Sequence, residues 1–165
     1  MRRGVFVTLG HNGTLRGCVG SPIPGAPLEV ALAEAAESAT EDPRFPPVRA
    51  REIAHIEIEV SVLSTPRPLR ARRASDLPTA LHVGSDGLLL RVPGGGGLLL
   101  PKVAIEHGFT AEQFLSACCL KAGLSPDAWL SNGLAWETFG AFVFREETPR
   151  GTIHAEQATP RSDVA

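Results

Sequence analysis

Residues 8–20 read TLGHNGTLRGCVG, and this stretch decides the fold of the first part of the chain. Asn12 and Gly13 lie between two runs that are compatible with β-strands, and this dipeptide readily adopts the positive φ angles of a two-residue hairpin turn. A hairpin whose loop is these two residues places Cys18 opposite Val7. We therefore expect an apolar setting for the Cys18 thiol.

The overall composition limits the classes of function and partner that the chain can have, before any motif is considered. The chain has 165 residues, a formal net charge of −2 at pH 7 and 43% hydrophobic residues, which fits one domain with a real core. Without a basic excess, nucleic acids and anionic membranes are unlikely partners. Three cysteines are too few for a disulfide framework, and no apolar run is long enough to cross a membrane. We expect a soluble, cytoplasmic protein.

Periodicity predicts the main elements. Apolar residues spaced three or four apart predict a helix at 28–39, which the proline-rich segment 42–47 cannot continue because proline lacks an amide donor. Alternation of apolar and polar residues predicts a strand at 56–62, with its glutamates on one face. A capping box, TAEQ at 110–113, predicts a helix that begins near residue 111. Further expected elements are a hairpin over 88–100, one strand over 136–144, and a polar tail from 145.

Five motifs follow one another along the chain: LRGCVG at 15–20, DPRFPP at 42–47, IEIEVSVLS at 56–64, a glycine-rich segment before LLLP at 98–101, and KAGL at 121–124 followed by Trp129. In this order they resemble the AMMECR domain over roughly residues 3–144. The resemblance implies an α+β fold with a mixed, mainly antiparallel sheet and flanking helices, in a larger and a smaller lobe. It implies a single domain over 1–147, followed by a disordered tail over 148–165.

The resemblance also has implications for a partner and for the position of the site. Prokaryotic relatives are often fused to, or encoded near, a Memo-type protein, sometimes with a radical SAM protein, so a Memo-type protein is the expected partner. The LRGC motif is expected beside a cleft. The candidate binding residues there are Thr8, Arg16, Gly17, Gly20, Asp42, Arg44, Phe45, Glu59 and Ser61. Arginines in such a cleft can form forked contacts with a carboxylate or phosphate, so the expected ligand is a small anion.

Two residues, Cys18 and Glu59, have more than one interpretation. Cys18 is the candidate catalytic nucleophile because Arg16 can supply the positive charge that a thiolate needs. The alternatives are a structural thiol, kept inert by the apolar setting opposite Val7, and a thiol that contacts a ligand. Glu59 either contributes to a polar cleft, where paired acids suit general acid–base work, or lies on a solvated sheet face with Glu57.

Other segments favour ordinary structural roles. Residues 65–74 contain four arginines, and a solvated loop is favoured over a phosphate-binding patch because no aromatic residues are interleaved to stack bases. The glycine-rich segment 93–97 lacks the Gly-Lys-Ser/Thr ending of a nucleotide loop. Neither a His-x-x-x-His nor a Cys-x-x-Cys pair is present, so no metal site is predicted, and the sequence names no cofactor.

Three classes of function follow. The first is a small-molecule-binding enzyme, or an accessory subunit of one, acting in a pathway with a Memo-type protein. The second is a protein-interaction or regulatory module without catalysis. Nucleic-acid binding is the third.

Overall fold

The computed structural model describes residues 1–23 and 25–158 and divides into two compact units. The first unit comprises Met1–Ser64 and Phe142–Gln157, and the second is built on Thr65–Ala141. No helix among the described residues is long and apolar enough to cross a membrane. In chain order the elements are β1 (Val5–His11), β2 (Thr14–Ser21), α1 (Leu28–Thr40), β3 (Ile56–Leu63), β4 (Arg67–Pro68), α2 (Leu77–Ala80), β5 (Gly87–Val92), β6 (Gly95–Leu99), α3 (Pro101–Glu106), α4 (Ala111–Lys121), β7 (Ala135–Phe139), β8 (Ala141–Glu146) and β9 (Ile153–Ala158).

The first unit is a five-stranded sheet in the order β2-β1-β3-β8-β9, with α1 packed on one face. β1 pairs antiparallel with both β2 and β3, as the mainly antiparallel prediction requires. α1 confirms the helix expected at 28–39, and its alanines pack on the apolar side chains of β1. The buried residues of this cluster are Val5, Val7, Leu9, Ala35, Ala39 and Ile56.

The hairpin turn is confirmed, but the register beyond it differs from the prediction. Asn12 and Gly13 adopt φ angles of 51° and 74°, as the turn requires. The register shifts between residues 9 and 10 of β1, because Arg16 is an extra residue that bulges out of β2. Cys18 consequently lies opposite Thr8, and the predicted pairing with Val7 is wrong.

β3 keeps the predicted alternation, but both of its faces are partly buried. Ile56 joins the cluster under α1, whereas Ile58 on the same face is 41% exposed. On the opposite face Glu59 and Ser61 are only 7% and 1% exposed. A solvated face is therefore the wrong interpretation for Glu59.

The second unit is a four-stranded sheet in the order β4-β7-β5-β6, with α4 packed against β5 and β6. The predicted capping box is confirmed: the Gln113 amide donates to the Thr110 hydroxyl, and the Thr110 amide donates to the Gln113 side chain. A side chain at Gly97 would overlap the carbonyl of Cys118, so glycine lets β6 and α4 approach closely. The buried side chains of this core include Leu88, Leu90, Phe114, Leu115, Trp129 and Trp136.

Two differences concern the end of the chain. The single strand expected over 136–144 is two strands, β7 and β8, which belong to different sheets on either side of Gly140. The expected tail includes β9, which extends the first sheet because the amide of Glu147 donates to the carbonyl of Thr152 and brings the chain back beside β8. Residues 159–165 lie outside the described part of the chain.

Candidate functional site

A row of polar side chains crosses the first sheet on the face opposite α1. Cys18 of β2 lies opposite Thr8 of β1, which in turn lies opposite Glu59 of β3. The Thr8 hydroxyl donates to the Cys18 sulfur at 3.3 Å. Arg145 of β8 completes the row, because its Nε and Nη2 both contact one oxygen of Glu59, at 2.7 and 2.6 Å.

The Glu59–Arg145 pair is buried at one end and exposed at the other. The Glu59 side chain is 9% exposed and the Arg145 side chain is 52% exposed. A buried carboxylate is costly unless it is paired, and Arg145 provides that pairing. The carboxylate therefore fixes the position of the guanidinium of a side chain that is about half exposed.

Asp42 fixes the backbone of Cys18 from the other side. One carboxylate oxygen accepts from the Cys18 amide at 2.9 Å, and the other accepts from the Arg44 amide at 3.0 Å. The Arg44 side chain also donates to Asp42, at 3.0 Å from Nε and 2.6 Å from Nη2. These contacts, led by that of the Arg44 side chain, outweigh the effect of burial and hold the pKa of Asp42 well below its usual range.

Arg44 completes the arrangement around the motif. Its Nη2 donates to the carbonyl of Cys18 at 3.2 Å, so Asp42 and Arg44 together bind both backbone polar groups of Cys18. The guanidinium lies 5.6 Å from the ring centre of Phe45, a cation–π contact. The hydrogen bond to Asp42 raises the pKa of Arg44, and 57% of the Arg44 side chain is exposed.

Arg16, a candidate ligand contact, pairs within the protein with residues that follow α1. Its Nε and Nη2 bind the two oxygens of Glu52 at 2.9 and 3.3 Å, and Nη2 also donates to the carbonyl of Pro47 at 3.2 Å. The Arg16 side chain is 14% exposed. The side-chain hydrogen bond from Arg16, followed by the hydrogen bond from the backbone amide of Arg49, lowers the pKa of Glu52 to about 2. Arg16 thus anchors the proline-rich loop to the bulge in β2.

The glycines of the motif are explained by close backbone approach. A side chain at Gly17 would overlap the carbonyl of Ala39 near the end of α1. One at Gly20 would overlap the backbone of Val5 and Phe6. Glycine at both positions therefore lets the strands and α1 pack closely around Cys18.

The three cysteines lie in contrasting surroundings. Cys18 is half-buried, whereas Cys118 and Cys119 of α4 are fully buried. Burial raises the pKa of Cys118 to about 12 and also raises that of Cys119, which makes both thiols inert. Over residues 1–23 and 25–158, no group of three or more His, Cys, Asp or Glu side chains is arranged to hold a metal ion.

Comparison with known proteins places this geometry in a family. The AMMECR1 family model matches residues 1–144. The chain belongs to the AMMECR1 family. A protein from Methanothermobacter thermautotrophicus is 50% identical over 147 residues, which cover 88% of this chain and 77% of that protein. One from Pyrococcus furiosus is 45% identical over 167 residues, covering 98% of this chain and 79% of that protein.

A solved structure of a similar protein supports the fold. The crystal structure of an uncharacterized protein from Pyrococcus horikoshii has a TM-score of 0.89 and 42% sequence identity, and the match covers 94% of this chain and 79% of that one. At this identity the similarity confirms the α+β architecture predicted from the resemblance. The AMMECR1 resemblance noted from the sequence motifs is likewise confirmed.

The site of this AMMECR1 chain contains two groups that the sequence analysis missed. Arg145 was assigned to a polar tail, and Glu52 was not singled out. Arg145 is 86 residues from Glu59, so no local pattern connects them. The one signal in the sequence was Glu59 within a predicted strand, because a carboxylate that is buried there requires a cation from elsewhere in the sheet.

Proposed function

We propose that this AMMECR1-family protein binds a small anionic metabolite on the row formed by Cys18, Thr8, Glu59 and Arg145, as an enzyme or as an accessory subunit of one. The observation that carries the proposal is the half-exposed Arg145 guanidinium, fixed by a buried carboxylate in register with a hydroxyl and a thiol. A cation held in place before the ligand arrives loses little side-chain entropy on binding.

The ligand class follows from the donors in this row. A guanidinium can form a forked contact with a carboxylate or a phosphate. The Thr8 hydroxyl has one hydrogen, which it donates to Cys18, and it can donate to an anion only by turning that hydrogen away from the sulfur. Cys18 lies at the other end of the row, where its sulfur accepts from Thr8. Binding is the activity proposed here, and Cys18 is the candidate nucleophile if the protein is an enzyme.

The test compares two arginines that are paired in the same way. Arg145→Lys keeps the positive charge opposite Glu59 but removes the fork. The matched control is Arg91→Lys in the second sheet, where Arg91 donates to Glu137 at 2.6 Å and is 50% exposed. Untargeted mass spectrometry of compounds released from the purified proteins should find an anionic metabolite with the wild type and with R91K, and about tenfold less with R145K, the loss of one charged contact.

Two results would contradict anion binding at this row. One is equal recovery of the same compound from wild type and R145K. The other is the recovery of no anionic compound from the wild-type protein. If the compound is found, Cys18→Ser separates binding from catalysis, because an enzyme with a Cys18 nucleophile keeps the ligand but loses turnover.

A second candidate function, protein interaction, is favoured by an exposed apolar surface on the same sheet. Because side chains alternate along a strand and Arg145 lies on the Glu59 face, Phe142 and Phe144 lie with Ile58 on the opposite face. These three residues are 39%, 40% and 41% exposed, since α1 packs mainly on β1 and β2. Contiguous exposed apolar surface of this kind marks interaction sites.

The expected partner for this surface is the Memo-type protein that the family resemblance suggests. Sedimentation velocity of the two purified proteins should show a complex that Phe144→Asp weakens at least about tenfold, since burying an unpaired charge in an interface is strongly unfavourable. Leu120→Asp on α4, which is 59% exposed in the second unit, is the control and should leave the complex intact. A complex that tolerates F144D would exclude this surface as the contact.

A further inference from the structure

The second unit contains a small pocket beside a tryptophan whose N–H group has no partner. Trp136 is 5% exposed, and its Nε1 forms no hydrogen bond within the described part of the chain. The pocket that it lines has a volume of about 120 Å³. Other lining residues are Leu77, Arg72, Arg73, Ser131 and Asn132.

The lack of a hydrogen-bond partner for the indole N–H group distinguishes Trp136 from Trp129. Nε1 of Trp129 donates to the Ser116 hydroxyl at 3.1 Å. Buried indole N–H groups usually find such an acceptor, because leaving one unpaired forfeits the hydrogen bond that it made with water. Trp136 therefore has an unused donor at a position where the described residues supply no acceptor.

The chain brings its arginine-rich loop to this pocket. β4 pairs with β7, and the amide of Leu69 donates to the carbonyl of Trp136 at 2.9 Å, which fixes the start of the loop beside the tryptophan. Arg72 and Arg73 of this loop are exposed and line the pocket. Arg73 pairs with Asp76 at 3.3 Å, whereas among the described residues Arg72 contacts no acid.

The opposite wall is a short polar turn. Ser131, Asn132 and Gly133 are exposed, and Gly133 adopts a φ angle of 100°, a conformation that favours glycine. The side chains of Ser131 and Asn132 add hydrogen-bonding groups to those of Arg72. The pocket thus combines positive charge, several donors and an apolar floor.

We propose that this pocket binds a small oxyanion, the phosphate or carboxylate group of a metabolite. An indole N–H is a donor only, so the ligand atom that meets Trp136 must be an acceptor. The guanidinium of Arg72 forks onto the same group. Because Nε1 of Trp136 is buried, a ligand oxygen reaches it only if the 131–133 turn moves, which the amides of that turn would report in the test below. The volume is well below that of a whole drug-sized ligand, so the pocket takes the anionic group and leaves the rest of the molecule outside.

The test is a ¹H–¹⁵N NMR titration of the full chain, with the two indole signals as reporter and internal control. Sodium phosphate and sodium acetate are compared with sodium chloride at matched ionic strength and pH. We expect a saturable shift of the Trp136 indole and of the 131–133 amides, with the Trp129 indole unchanged. Saturation by phosphate at the lower concentration identifies a phosphate site, and saturation by acetate at the lower concentration identifies a carboxylate site.

Two variants make the assignment specific. Arg72→Ala should raise the dissociation constant about tenfold, since it removes one charged contact. Arg70→Ala removes an exposed arginine of the same loop that does not line the pocket, and should change the constant less than about twofold, the effect of a screened charge. Each spectrum also reports whether the variant is folded.

Three outcomes would overturn the site. They are a shift that chloride reproduces, a shift that stays linear to the highest concentration, and equal dissociation constants for wild type and R72A. None of them bears on the row in the first unit, because the two sites share no residue.

Discussion

The two sheets of this protein differ in what they bury. In the second unit the sheet and α4 enclose an apolar core that includes Leu90, Phe114 and Cys118, all 0% exposed. The first sheet has an apolar cluster under α1, but on its opposite face it buries Glu59 and Ser61. The second unit also buries Asp86 and Thr138, but the Asp86 carboxylate precedes β5 and accepts from the nearby His82 amide at 2.7 Å. Glu59, in contrast, lies within a strand and pairs with Arg145, 86 residues away.

This difference supports the proposed ligand-binding row in the first unit. An apolar core needs no functional explanation, because the burial of apolar side chains by itself stabilises the fold. A buried carboxylate has no such explanation, because apolar side chains of similar volume are often as stable or more stable. The polar face of the first sheet thus carries a cost in stability that a ligand-binding row would justify.

The largest expected difference between the two regions is in thiol reactivity. Iodoacetamide should label Cys18 in the native protein about 100-fold faster than Cys118, whose burial and raised pKa leave almost no accessible thiolate. Mass spectrometry of peptides after timed labelling measures the ratio. All three cysteines should react in denaturant, and native labelling of Cys18 no faster than Cys119 would place Cys18 with the structural thiols.

A smaller effect is expected from loosening the loop that holds the motif. Asp42→Asn should lower the free energy of unfolding by about 2–3 kcal/mol at pH 7, because it removes the charge from a buried group that accepts several hydrogen bonds. Asp76→Asn is the control, with an expected loss below about 1 kcal/mol for a more exposed ion pair. Urea denaturation measures both variants, and equal losses would show that Asp42 is an ordinary surface acid.

The same variant has a defined pH dependence. The pKa of Asp42 is lower in the folded protein than its ordinary value of 3.8, so the folded state favours the ionised form. The stabilisation is fully present above the unfolded pKa and is lost as pH falls through the folded pKa. The difference in stability between wild type and D42N should therefore be constant from pH 7 to about 5 and shrink below about 4.

Local chemistry made several elements predictable. The hairpin turn follows from Asn12-Gly13, which tolerate positive φ angles, and the start of α4 follows from the reciprocal hydrogen bonds of Thr110 and Gln113. Each depends on residues within four positions of one another. The motif around Cys18 was also located from the sequence, although the tasks of its residues were not.

What the sequence did not predict depends on distant contacts or on a single inserted residue. The bulge at Arg16 is stabilised by Glu52, 36 residues away, and a simple two-residue hairpin gives no hint of it. Because side chains alternate, a shift of one residue moved Cys18 from the apolar face to the polar one. The break at Gly140 was hidden for a similar reason, since β7 and β8 each resemble part of one longer strand until their separate sheets are known.

The contacts of Asp42 and Arg44 have a further consequence for association. β2 is the outermost strand of its sheet, so the amide and carbonyl of Cys18 point away from β1, toward the position that another strand would occupy. Unpaired groups of this kind invite a second chain to add itself to the sheet. In this protein the carboxylate of Asp42 accepts from the Cys18 amide, and the guanidinium of Arg44 donates to the Cys18 carbonyl. At this residue, the edge of the sheet therefore offers no unpaired backbone group to a second chain.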